Sequence, residues 1–72
     1  MEISVKLSII RVKTKSGYKY EVWEIGSAPV RMGDWERRVV AFEDKKRAVS
    51  YVKRYAKKLK KQYGEHITVK II

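Results

Sequence analysis

The chain has 72 residues, 44% of them hydrophobic and 36% charged, with no cysteine and a formal net charge of +10. That length allows one small domain near the lower limit for independent folding. With no disulfide or thiolate metal site to staple it, either a single compact core or a core completed by a second copy must hold it together.

No apolar run approaches the roughly 20 residues of a membrane span, and Met1-Glu2-Ile3 does not open a secretory signal. The expectation is a cytoplasmic protein with no membrane partner. Abundant Lys, Arg, Ile, Val and Tyr without Cys lean toward a thermophilic source.

The stretch "EISVKLSIIRVK" alternates, with Ile3, Val5, Leu7 and Ile9 pointing one way and Glu2, Ser4, Lys6 and Ser8 the other. Period-two alternation predicts a half-buried strand. The phase breaks at Ile9-Ile10, after which Ile10 and Val12 carry the apolar side, so a bulge or strong twist is expected there. "TKSG" at 14–17 predicts a hairpin turn with Gly17 at positive φ, and "YKYEVWEI" at 18–25 a second strand. "GSAPVRMGD" at 26–34 holds two glycines and the only proline. It reads as a long mobile loop whose Val30, Arg31 and Met32 order only on a partner.

"WERRVVAF" at 35–42 predicts a third strand. Asp44 then caps a helix running to about Tyr63, with Gly64 as its left-handed stop. "HITVKII" at 66–72 closes the chain with a strand that sets Ile67, Val69 and Ile71 on one face. The order βββαβ returns the last strand parallel to the first. The expected fold is an α+β two-layer sandwich: a four-stranded mixed sheet in the order 3-2-1-4 with one amphipathic helix on one face.

The charge is unevenly spread. Positions 44–63 hold nine Lys or Arg and one acid, whereas the rest of the chain holds nine basic and seven acidic residues. At about 100° per residue, Ala48, Tyr51, Val52, Tyr55, Ala56, Leu59 and Tyr63 share one arc of the helix, with Val49 at its edge. That stripe reads as core alone. Lys46, Lys53, Arg54, Lys57, Lys58, Lys60 and Lys61 fill the opposite arc.

A helix made only for solubility interleaves Glu with Lys. This one sets like charges four apart at Lys53–Lys57, Arg54–Lys58 and Lys57–Lys61, and three apart at Lys57–Lys60 and Lys58–Lys61. Each such pair costs about a few tenths of a kcal/mol in the free protein. Late Lys residues suit the negative end of the helix dipole, which accounts for part of the run. A bound polyanion that relieves the repulsion accounts for the rest.

The sheet offers a competing surface. With Tyr20, Val22, Val40 and Phe42 in the core, strict alternation turns Lys19, Glu21, Trp23, Trp35, Arg37 and Val39 outward. There Trp23 and Trp35, beside Lys6, Lys19 and Arg37, would form a platform for stacking and phosphate contacts. A register slip of one residue would bury the tryptophans.

The stretches "GYKYEVWEI" and "RRVVAFEDKKRAVSYVKRYAKKL" resemble the small three-stranded-sheet-plus-helix DNA-binding domains at the amino termini of tyrosine-recombinase integrases. They are similar also to the plant ethylene-response-factor DNA-binding domain. The shared pattern is aromatic and basic strands, then Phe42, the acidic cap Asp44 and an amphipathic helix led by Ala48, over about 18–59. The resemblance implies binding through the sheet in the DNA major groove, carried onto Lys19, Trp23, Trp35 and Arg37. The extra strand at 66–72 and the concentration of charge on the helix depart from that pattern.

Catalytic chemistry is not apparent. His66 is the only histidine, which argues against a His-pair metal site or a His-centred triad. Gly17, Gly26, Gly33 and Gly64 form no phosphate-cradling loop, and Glu2, Glu21, Glu24, Glu36 and Glu43 suggest no acid–base pair. The expectation is a non-enzymatic chain with no cofactor and no metal. Its leading function is binding of nucleic acid with little sequence specificity, duplex DNA over RNA, in an architectural or regulatory role.

The rival function is a protein-interaction module, adaptor or antitoxin-like, whose basic helix meets an acidic protein. Adhesion to an anionic membrane is disfavoured because the core claims the helix's apolar face. A homodimer through the edge of the last strand or through the open sheet face is expected as well.

Overall fold

The structure, a computed structural model, describes residues 2–28 and 33–72. Its elements are β1 (Ile3–Thr14), β2 (Gly17–Ala28), β3 (Gly33–Phe42), α1 (Lys45–Tyr63), a 3-10 turn (Gly64–His66) and β4 (Ile67–Ile71). The sheet runs β3-β2-β1-β4, antiparallel except for the parallel β1–β4 pair. One helix covers one face of it, so the chain is an α+β two-layer fold in the order βββαβ.

Period-two and period-3.6 patterns meet in one core. Val5 and Leu7 of β1, Val22 of β2 and Ile67 of β4 pack against Ala48, Val52, Ala56 and Leu59 of α1. The helix ends as its sequence demands. The Asp44 carboxylate accepts from the Lys46 amide at 2.9 Å, and Gly64, at φ 62°, donates its N–H to the Lys60 carbonyl. Among the described residues no helix is long and apolar enough to cross a membrane.

Four expectations need correction. First, β1 pairs with β2 without a slip from Ser4↔Ser27 to Thr14↔Gly17, so there is no bulge at Ile9-Ile10. Ile10 simply takes the face away from α1, where it is 45% exposed. Second, the bulge lies in β3: Val22 pairs with Val40 but Trp23 with Arg38, leaving Val39 as the extra residue. Below it the side-chain phase inverts.

Third, most of the expected 26–34 loop is strand, with Gly26 opposite Trp35 and Ala28 opposite Gly33. Val30, Arg31 and Met32 lie outside the described residues. Fourth, at the other end His66 belongs to the 3-10 turn, and the last strand begins at Ile67.

Gly26 is required where it stands. The Trp35 indole of β3 lies against its backbone, and a Cβ at this position would overlap the indole Cζ2 and Cε2 atoms. An aromatic covering a cross-strand glycine restores the apolar contact that the missing side chain would have made.

Candidate nucleic-acid interface

The buried stripe Ala48, Val52, Ala56 and Leu59 fixes the rotation of α1 about its axis. As a result Lys46, Lys53, Arg54, Lys57, Lys58, Lys60 and Lys61 are all exposed on its outer side. Among the described residues the ion pairs are Lys19–Glu21 at 3.3 Å, Arg37–Glu24 at 3.2 Å and Arg38–Glu21 at 3.1 Å. None involves a cation of α1. The first turn of the helix holds no acid, and its last turn holds Lys60 and Lys61, where they meet the negative end of the dipole.

The sheet distributes its charge differently, around two carboxylates on opposite faces. Glu24 points inward from β2 and is 5% exposed. Trp35 Nε1 donates to its Oε2 at 2.7 Å, Arg37 Nε donates to the same oxygen at 3.2 Å, and the Tyr55 hydroxyl donates to Oε1. Arg37 Nη2 also donates to the Tyr55 oxygen at 3.0 Å.

Burial pushes the Glu24 carboxyl up, but these three donors together outweigh it and hold the group below its usual value. The Tyr55 hydroxyl is pushed up, first by burial and then by its bond to Glu24. This cluster borders a cleft of about 530 Å³ shared with Lys58 and Tyr63. With both oxygens of Glu24 taken by donors, the carboxylate is an organiser of neighbours.

Glu21 does the same on the open face, where it accepts from Trp23 Nε1 at 3.1 Å and from Arg38 Nη1 at 3.1 Å. The Trp23 bond, then Arg38 and Lys19, lower its carboxyl against a smaller opposing effect of burial.

The expected aromatic platform is therefore divided. Lys6, Lys19 and Trp23 do lie on the open face. Trp35 and Arg37 do not: the Val39 bulge turns both toward α1, and it leaves Val39 half-buried against the core. Arg38 takes the outward place assigned to Arg37. One tryptophan remains outside, and Glu21, which accepts from its indole, is also paired with Lys19 and Arg38. The four residues implied by the integrase resemblance are likewise split between the two faces.

Pattern reading missed Glu21, Glu24, Arg38 and the polar role of Tyr55. A signal was present: Glu24 follows Tyr20 and Val22 on the inward parity of β2, and an inward carboxylate requires donors from the facing elements. Tyr55, in the core stripe, supplies one. Comparison of the chain with family profiles, with curated proteins and with solved structures finds no match.

Proposed function

We propose that the protein binds nucleic acid, duplex DNA in preference to RNA, through the outer face of α1 with little sequence specificity, in an architectural or regulatory role. One observation carries this reading. The two buried carboxylates pair with sheet cations, while the cations of α1 stand side by side with no carboxylate partner among the described residues. Like charges three and four apart repel in the free helix, and a polyanion removes that repulsion while releasing counterions. The Glu24 carboxylate serves to order Trp35, Arg37 and Tyr55, and we propose no catalytic role for it.

For assembly we propose a homodimer, with β4 as its edge. This strand lies outermost in the sheet, and its Ile71 and the following Ile72 are 53% and 66% exposed.

Fluorescence anisotropy with a random-sequence duplex at several salt concentrations tests the function. About five phosphate contacts give a log–log slope near −4 to −5. Absence of duplex binding, with capture of an acidic protein through the same face, would favour the adaptor reading instead.

A further inference from the structure

The β1–β2 hairpin outruns the rest of the sheet. β4 pairs with β1 only at Ile3 to Leu7, and β3 pairs with β2 only up to Tyr20↔Phe42. Beyond that pair the ribbon continues through Val12↔Lys19, Lys13↔Tyr18 and Thr14↔Gly17 with no paired strand on either side, although Phe42 and Glu43 border a cleft with Thr14, Ser16, Tyr18 and Lys19. Positions 11–19 carry Arg11, Lys13, Lys15 and Lys19 and no acid. Lys19 is paired with Glu21; the other three are exposed and have no carboxylate partner among the described residues.

Arg11 stacks over the Tyr18 ring at 4.6 Å, which holds a cation and an aromatic, itself 48% exposed, on the same side of the ribbon. That side is the helix side. Arg11 and Lys13 pair with Tyr20 and Tyr18 in the parity that continues through Ile9↔Val22 into the core.

The helix starts at the base of this ribbon, since Tyr20, Asp44, Lys45 and Lys46 border one cleft. Nineteen helical residues span about 28 Å, and about four further strand positions add about 13 Å. The molecule is accordingly 44 Å long and only 21 by 15 Å across.

We propose that the ribbon at 11–19 is a second DNA-contacting element that enters the major groove of a duplex lying along α1. In this arrangement Arg11, Lys13 and Lys15 meet phosphates at the groove edge and Tyr18 faces the base edges. The inference rests on the nucleic-acid reading and extends it. Two strands about 4.8 Å apart, with side chains, fill a width of about 10 Å, which suits the roughly 12 Å major groove and exceeds the roughly 6 Å minor groove. The deep, narrow major groove of A-form RNA excludes such a ribbon, so this element supplies a preference for DNA. At about 3.4 Å per base pair, the 44 Å length corresponds to a footprint of about 13 base pairs.

The test compares three double variants of the full chain, each checked for folding by circular dichroism: Lys13→Glu with Lys15→Glu, Lys57→Glu with Lys58→Glu, and Lys6→Glu with Lys70→Glu. The third pair lies on the open face, opposite each other in register, and changes net charge by the same amount. With a duplex of about 20 base pairs, the ribbon variant should lose about tenfold in affinity and flatten the salt slope by about 2. The open-face variant should change by less than about threefold. Guanine N7, which faces the major groove, should be protected from dimethyl sulfate by the unmodified protein and exposed again in the ribbon variant. Duplex RNA should not distinguish the ribbon variant from the unmodified chain.

A ribbon variant that behaves like the open-face control, or N7 left unprotected by the unmodified protein, overturns the ribbon while leaving the helix reading in place. Failure of the unmodified chain to bind any duplex removes both.

Discussion

Gly26 and Trp35 face each other across β2 and β3, and the indole occupies the space a side chain at 26 would need. Gly26→Ala is expected to destabilise by about 1–3 kcal/mol through overpacking, seen as a lower urea midpoint at unchanged slope. The same indole is a donor to Glu24, so an error here reaches the polar cluster as well.

Glu24→Gln removes the charge that Trp35, Arg37 and Tyr55 address and places an amide N–H₂ against one of those donors, with an expected loss of about 1–3 kcal/mol. The pH dependence follows from the directions of the shifts. The lowered Glu24 carboxyl stabilises the fold fully above the ordinary carboxylate value near 4.3, and that contribution is lost as pH falls through the lowered folded value. The raised Tyr55 hydroxyl stabilises below about pH 10 and ceases to do so as pH rises through its folded value. Chemical denaturation from pH 2 to 11 should show a plateau falling at both ends. In Glu24→Gln the acid limb should be shallower, with the remainder due to Glu21. An unchanged acid limb would show that Glu24 does not titrate as described.

At the scale of elements, α1 was readable because Ala48, Val52, Ala56 and Leu59 at helical spacing form one buried stripe, and because Asp44 and Gly64 mark its ends by mechanisms local to them; Tyr63, expected in that stripe, is instead 40% exposed. The strands were readable in order and pairing for the same reason. What strict alternation missed was which of two doublets interrupts it. Ile9-Ile10 leaves one isoleucine partly in water, a modest cost, and β1 stays regular. In the "RRVV" of β3 the choice is different. Without the Val39 bulge, Trp35 and Arg37 would face solvent and Glu24 would be buried with one donor, which is far more costly.

That consideration joins β2, β3 and α1, so no window of one strand contains it, and both site residues misplaced by alternation, Trp35 and Arg37, follow from it. Deleting Val39 should restore regular alternation while keeping Trp35 and Arg37 on the side of Glu24, because Arg38 stays opposite Trp23 and Arg37 opposite Glu24. The expected loss is limited to the half-buried Val39 side chain, about 1–2 kcal/mol, measured by urea denaturation; a loss of about 3 kcal/mol or more would show that Trp35 and Arg37 leave Glu24 when Val39 is removed.

At the scale of the molecule, the sheet neutralises its buried carboxylates with its own cations and α1 is left with nearly all the excess charge. The two layers put the basic helix face and the Trp23 face on opposite sides, so one straight duplex reaches one of them, while the β4 edge stays available to a second copy. At high micromolar concentration and moderate salt, which screens the +10 net charge, sedimentation should report a dimer. A monomer throughout would remove the proposed edge pairing.

The basic face of α1 is tested most directly by the salt dependence of duplex binding in the Lys57→Glu, Lys58→Glu variant, measured beside its urea stability. Both positions are exposed, and the change converts like-charge pairs with Lys53, Arg54 and Lys61 into opposite ones. Stability should be equal or higher by about a few tenths of a kcal/mol, while affinity falls and the log–log slope flattens from near −4 to −5 by about 2. Unchanged affinity and slope in a folded double variant would contradict the helix interface and leave Trp23 and Arg38 on the open face as the next residues to substitute.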